Sequence, residues 1–395
     1  MIWPGVVTRM RWLVVALVLS ACSQVATETV TPPPTAPTTS SIPSTTGTTE
    51  PTPRPTRLRG GGTAWRQAVA NVYGPVCDGD RTLVPPEIRD WQMAKVCPVE
   101  GQATSSMIAG TTVAVAALGD DVIYGFDQGS GFQIVAARVP SLKGSYYGSL
   151  PKMVAVIGSD ARPGEEAATS RADSIHIFTL DGQGQGAIVG VPRDSWVDYA
   201  TGGRGKINGS LSLGGPDVFL QTLANVTGLN YDGYLLTGFE GFQELWGNVL
   251  GGANLELASP LVDRASGANF SAGFQYFNGP QALSFARARK NLSGGDLQRS
   301  LNGGALLQGA LSTAQHLGPL ALPSMMQRGW PWLVTDLTAG EILALAALAT
   351  DTPLTALANA VAPGRIGTAG AASVVYLTSG AGEMFGDLVD GSLGS

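Results

Sequence analysis

Apolar and polar positions divide the chain into four stretches. Residues 12–19 form an unbroken apolar run behind Arg9 and Arg11. Such a run is shorter than the roughly 20 residues of a spanning helix and fits the core of a signal peptide. Residues 23–58 are mostly Thr, Pro and Ser with no apolar period. A tract of this kind buries too little apolar surface to fold, and its prolines hold it extended. Residues 59–148 carry a helical pattern over 65–73, then short apolar segments at 111–118, 121–124 and 132–139 parted by Gly-Asp and Gly-Ser turns. They predict a small β-rich module. From Lys152 onward the pattern changes again. Strands are predicted at 153–157, which is fully apolar, and at 174–180 and 187–191. Helical periods follow at 217–227, 239–249, 280–287, 296–315, 339–349 and 354–360, with a last strand at 373–377. Pro216 at the start and Gly228 at the end bound the first of these helices. Apolar strands alternating with helices predict an α/β or α+β sandwich over residues 149–395.

The cysteines refine the two ends of this picture. Leu19-Ser20-Ala21-Cys22 has the pattern of a bacterial lipobox. In that reading residues 1–21 are cleaved, Cys22 is lipidated, and residues 22–58 tether the folded part to the outer face of the membrane. Cys77 and Cys97 remain, and an even pair in an exported chain predicts a disulfide. His176 and His316 are the only histidines, so a Cys/His metal site is not expected. A net charge of −6 without a basic run argues against nucleic-acid binding.

Only 14% of residues are charged, which gives weight to the charges set beside the apolar strands. They form four clusters: Asp160 with Arg162, Arg171 with Asp173, Arg193 with Asp194, and Arg287 with Arg289. Loops at strand ends are where α/β folds place ligands. Mg²⁺ is commonly held by one or two carboxylates together with waters and substrate phosphates. On spacing alone Asp160 and Asp173 fit such a site or two Asp–Arg surface pairs. Guanidinium forks suit phosphate oxygens. An extended backbone at 287–289 would aim Arg287 and Arg289 the same way, toward a shared anion. Lys206 and Asn208 flank Ile207 in a glycine-rich loop that a plain turn also explains.

No single cluster is specific, but their succession is. Gly158-Ser159-Asp160-Ala161-Arg162, Arg171-Ala172-Asp173-Ser174-Ile175, Val191-Pro192-Arg193-Asp194, Lys206-Ile207-Asn208, Ala286-Arg287-Ala288-Arg289 and Asp296-Leu297-Gln298-Arg299 follow in order. This order closely resembles the LytR–CpsA–Psr family. The resemblance implies a central mixed β-sheet flanked by helices, with an apolar tunnel for a polyprenyl chain. It implies a phosphotransferase that moves a glycopolymer from a polyprenyl-pyrophosphate carrier to peptidoglycan outside the membrane. Asp160 and Asp173 match the acids that hold Mg²⁺. Arg171, Arg193, Arg287, Arg289 and Arg299 match the arginines that grip phosphate oxygens, with Arg162, Lys206 and Asn208 beside them on the substrate. Asp194 would orient Arg193 or take the proton of the attacking hydroxyl.

The chain also departs from the family's pattern. One turn beyond Arg299 the family carries Arg-Gln, and here Asn302 and Gly303 stand in their place. A polar contact is lost, and two successive glycines, Gly303 and Gly304, are expected to loosen the helix. The departure leaves a second reading: a non-catalytic lipoprotein that binds polyprenyl-phosphate lipids or wall glycan.

Overall fold

The computed structural model describes residues 57–98, 100–289 and 295–394. The apolar run at 12–19, Cys22 and nearly all of the Thr/Pro tract lie outside them. Among the described residues no helix is long and apolar enough to cross a membrane.

Residues 57–146 build a six-stranded sheet from β1 (Arg57–Arg59), β2 (Glu100–Ile108), β3 (Thr111–Leu118), β4 (Asp121–Asp127), β5 (Gln133–Val139) and β6 (Gly144–Tyr146), paired in chain order. The first pair is parallel and the rest form an antiparallel meander. Helix α1 (Thr63–Tyr73) turns Trp65, Val69 and Val72 onto Ala114, Ala116 and Ile123 of this sheet. The expected Cys77–Cys97 disulfide is present.

The central sheet is mixed, as the family resemblance implied. Its strands are β7 (Lys152–Ser159), β8 (Ala172–Leu180), β9 (Gly186–Gly190), β10 (Gly233–Thr237), β11 (Val334–Thr335) and β12 (Leu357–Val361), in the spatial order β11-β10-β7-β8-β9-β12. Strand β7 is apolar from Met153 to Ile157 because both of its faces are covered. Ala155 and Ile157 meet Phe219 and Leu223 of α2 (Gly209–Thr227) on one face. Val154 joins the core on the other face, formed with β3, β4 and α6 (Ala339–Asp351). Regular helix resumes in α2 at Pro216 after a kink at Gly214 and Gly215, and Gly228 closes it with φ +72°.

The segment 354–360 is not the helix its Leu/Ala content predicts. A single 3₁₀ turn at Leu354–Ala356 leads into β12, which lies parallel to β9. Pairing along a sheet edge outweighs alanine's weak helical preference there. Three further helices frame one face of the central sheet: α3 (Phe239–Glu244), α4 (Gly279–Arg287) and α5 (Gly295–Leu317). The predicted helix at 239–249 changes character midway, since Leu245–Val249 is a π-helical turn.

Candidate functional site

One cavity of about 1230 Å³ lies over this face. Leu235, Val156 and His176 are paired side by side across β10, β7 and β8, so they share a face and form its floor. Phe239, Phe242, Leu245, Trp246, Val249 and Leu250 form one wall, and Leu306, Leu307 and Ala310 of α5 face them. A π turn widens the helix by one residue and is frequent at functional sites. Here it presents Leu245, Trp246 and Val249 together, anchored by the Trp246 indole N–H donating to Phe277 O at 2.7 Å. This half of the cavity is apolar.

The other half is charged. Beyond β7 the loop pinches itself shut: Asp160 N–H donates to Arg171 O at 2.9 Å, and Arg171 N–H donates to Asp160 Oδ1 at 2.8 Å. The Arg171 guanidinium lies 3.8 Å from the other Asp160 oxygen. Arg193 forms an ion pair with Asp173 and sits 3.8 Å from Asp296 Oδ1, which also takes Arg299 Nη2 at 2.6 Å. Backbone bonds from Asn208 N–H to Arg193 O and from Ile207 N–H to Ser195 O bring Lys206 beside Asp194, 2.9 Å away. Arg193 is thus oriented by Asp173 and Asp296, while Asp194 is held by Lys206. Asn208 is buried and lines the cavity. Arg287 ends α4 with its guanidinium 4.8 Å from the Phe239 ring centre, within cation–π range. The backbone at 287–289 is therefore a helix end and not the extended run expected, yet both arginines reach the cavity.

All eleven candidates for metal and substrate contact line this one space: Asp160, Arg162, Arg171, Asp173, Arg193, Asp194, Lys206, Asn208, Arg287, Arg289 and Arg299. Seven cationic and five acidic side chains line it in total. Burial perturbs three of these charges, and only at Arg299 is the net shift in the direction that a bound anion would offset. Arg299 is only 7% exposed, and burial, together with the charges of Arg193 and Arg289, lowers its pKa despite Asp296. Burial also acts to lower Arg193, but Asp173, Asp296 and Asp194 overcome it and the net shift is upward. Burial raises Asp296 against the pull of Arg299 and Arg193. Asp296 Oδ2 is buried without a hydrogen-bond partner. Asp296 was legible only as part of a motif; its place between two arginines distant in sequence was not.

Among the described residues no group of three His, Cys, Asp or Glu side chains could cage a metal. Two carboxylates on one wall fit a different donor set, that of a Mg²⁺ completed by waters and substrate phosphates. Asp160 and Asp173 meet that requirement, and each would share its oxygens with Arg171 or Arg193.

Gly303 and Gly304 do not loosen α5, which runs unbroken through both. His176 stands over Gly303 and Asn359 over Gly304, at distances that leave no room for a Cβ. The glycines are clearance for a close helix–sheet approach.

The LytR_cpsA_psr family model matches residues 138–379, more than half of the chain. A protein named as a probable cell wall biosynthesis protein, LcpB of Corynebacterium glutamicum, is 30% identical over 180 residues, 42% of this chain and 43% of its own length. The polyisoprenyl-teichoic acid–peptidoglycan teichoic acid transferase TagV of Bacillus subtilis is 32% identical over 139 residues, 33% of this chain and 35% of its own. The chain thus spans half or less of the length of these two relatives. The crystal structure of B. subtilis TagV superposes with a TM-score of 0.52 at 23% identity, covering 60% of this chain and 95% of that one. TagT bound to LIIa-WTA gives 0.53 at 19% identity, covering 63% and 94%. The structural likenesses show a shared fold.

Proposed function

Because the chain belongs to the LytR–CpsA–Psr family, we propose that it transfers a glycopolymer from a polyprenyl-pyrophosphate carrier to peptidoglycan, forming a phosphodiester. The observation that carries this reading is the two-sided cavity. A polyprenyl pyrophosphate has a greasy tail and a compact, highly charged head. Leu235, Phe242, Leu245, Trp246, Leu306 and Ala310 supply walls for the first, and seven cations supply a mouth for the second. The relative named above as a polyisoprenyl-teichoic acid–peptidoglycan teichoic acid transferase, TagV of B. subtilis, supports the same assignment.

In this mechanism an acceptor hydroxyl attacks the phosphorus that carries the glycan. A new P–O bond forms, the bond to the bridging oxygen breaks, and polyprenyl phosphate leaves. Asp194, steadied by Lys206, takes the hydroxyl proton. Arg193 and Arg299, locked by Asp173 and Asp296, hold the phosphate oxygens in place before reaction begins. Arg171, Arg287 and Arg289 close round the leaving phosphate. Asp160 and Asp173 are the residues that would hold Mg²⁺, which would supply charge to offset that of the pyrophosphate. A lipid on Cys22 would keep the enzyme at the outer membrane face, where such a donor resides, and the Thr/Pro tract would give it reach toward the wall.

The test is polyprenyl phosphate release and glycan transfer by purified protein with Mg²⁺, a polyprenyl-pyrophosphate-linked glycan and peptidoglycan. Arg287→Ala and Asp173→Ala should each abolish both while the protein stays folded. Wild-type turnover in either variant defeats the assignment. The departure at Asn302 and Gly303 raises the second reading, a carrier-binding lipoprotein without turnover; lipid binding in the absence of any release by the wild-type protein would establish it.

A further inference from the structure

The space where the family's glutamine would project is occupied from the opposite side. A Cβ built on Gly303 would lie 2.5 Å from Cε1 and 2.8 Å from Nε2 of His176, and 3.6 Å from Ser174 Oγ. No real side chain fits without displacing that ring. His176 is 3% exposed, rises from β8 and lines the cavity. Its Nε2 is 2.9 Å from Ser300 O, and a carbonyl can only accept, so Nε2 carries the hydrogen. Nδ1 then accepts from the Ser174 hydroxyl at 3.3 Å. The imidazole therefore ties the sheet to the residue immediately after Arg299. Asn359 adds a second tie, its Nδ2 donating to Leu301 O at 3.0 Å. Both bonds fall on the turns of α5 that carry Asp296 and Arg299.

We infer that His176 is a positioning residue: it fills the room left by Gly303 and, through Ser300, sets Arg299 and Asp296 at the depth where they face the anion. The inference rests on the cavity being an anion site, and deepens that reading by explaining how this chain builds the site without the usual side chain.

Binding of inorganic pyrophosphate, measured by calorimetry on the full chain, tests it in a cycle of four proteins. His176→Ala frees the end of α5 and should weaken binding about tenfold, the scale of one misplaced charge-assisted hydrogen bond. Gly303→Gln should weaken it at least as much, because its Cβ must push the ring or the helix away. The double variant His176→Ala/Gly303→Gln should bind within about threefold of wild type, with its melting temperature restored, since the two changes relieve each other. His176→Gln, which keeps an amide donor toward Ser300 O, should also stay near wild type. Losses that simply multiply in the double variant overturn the inference, as does wild-type affinity in His176→Ala. If Gly303→Gln does not fold, Gly303→Ala enters the cycle in its place. Transfer from a polyprenyl-pyrophosphate donor is followed in parallel. Its absence in wild type would remove the functional assignment while the binding cycle still decides the role of His176. Absence of pyrophosphate binding by wild type would remove both.

Discussion

Arg193→Met is the most informative single change, because Arg193 joins the two carboxylates at the centre of the site. The methionine keeps most of the apolar stem and removes only the fork of donors. Asp173 then loses its ion-pair partner, and Asp296 keeps Arg299 but loses the guanidinium 3.8 Å away. Breaking a fully buried pair from one side costs about 3–5 kcal/mol, and an exposed pair contributes about 0.2–1 kcal/mol. The side chains here are 15%, 26% and 17% exposed. A loss near 2 kcal/mol follows, roughly midway between those limits. The protein should therefore remain folded at 25 °C with a melting temperature lowered by a few degrees. The effect on chemistry should be larger: removing one preorganised donor from a developing phosphate charge costs about 10²–10³ in rate. Single-turnover release of polyprenyl phosphate, with circular-dichroism melts as the fold control, separates the two effects. Arg193→Lys restores charge without the fork and should recover only part of the rate. A folded Arg193→Met protein whose kcat/KM stays within about threefold of wild type would refute the role given to Arg193, because transition-state stabilisation of that size could not have been lost.

Burial lowers the His176 pKa, so the unfolded chain takes up its proton near pH 6.5 and the folded chain only at lower pH. This contribution to stability is present above that value and is lost as pH falls through the folded one; urea midpoints between pH 7 and 5 should fall less steeply for His176→Gln than for wild type. Reducing the Cys77–Cys97 disulfide, with a separation of 20 residues, should cost about 3 kcal/mol on the chain-entropy account, read as a lower melting temperature under dithiothreitol. Ala310→Trp fills the apolar half of the cavity and should raise KM for long-chain polyprenyl donors while inorganic pyrophosphate binds as before; equal losses for both ligands would contradict the two-sided cavity. Asn302→Arg restores the family's charge but at a buried position off the cavity wall, so it should destabilise by about 3 kcal/mol and add nothing to transfer; a stable, faster variant would show that the site lacks a cation.

The sequence exposed the central sheet because its inner strands are covered on both faces. Strand 153–157 then reads as an unbroken apolar run bounded by lysine and glycine, and 174–180 as a mostly apolar one. Strand β12 was hidden for the opposite reason: Leu357–Val361 lies at the sheet edge, and its alanines imitate a helix. The candidate arginines and acids were legible through motif order, not through any local physical signal. What that order could not convey was partnership. Arg193 is oriented by Asp173, 20 positions back, and by Asp296, about a hundred positions ahead. His176 sat within a predicted strand, and its contact with Gly303 crosses from sheet to helix. A signal was present all the same, since a histidine interrupting an otherwise apolar strand must find a polar partner when buried.

The departure at 302–303 reads differently once its neighbours are known. A helix with two adjacent glycines in water would be weakened by about 2 kcal/mol relative to alanine. Here that cost accompanies three bonds from the sheet to α5 or from α5 to the sheet: His176 to Ser300 O, Asn359 to Leu301 O, and Gln308 to Leu357 O. Gly190 on β9 permits the same closeness, since a Cβ there would lie 2.8 Å from that of Ser300. A helix meant only to be flexible would not be fastened at successive turns. Nor does losing the family's arginine leave the pocket short of positive charge, because seven cations still line it and Asn302 points elsewhere, accepting from Gln298 Nε2 at 3.1 Å. The substitution moves the polar contact from helix to strand and keeps the cavity suited to an anion. That favours an enzyme with an altered wall at this point over a binding protein that has lost its chemistry.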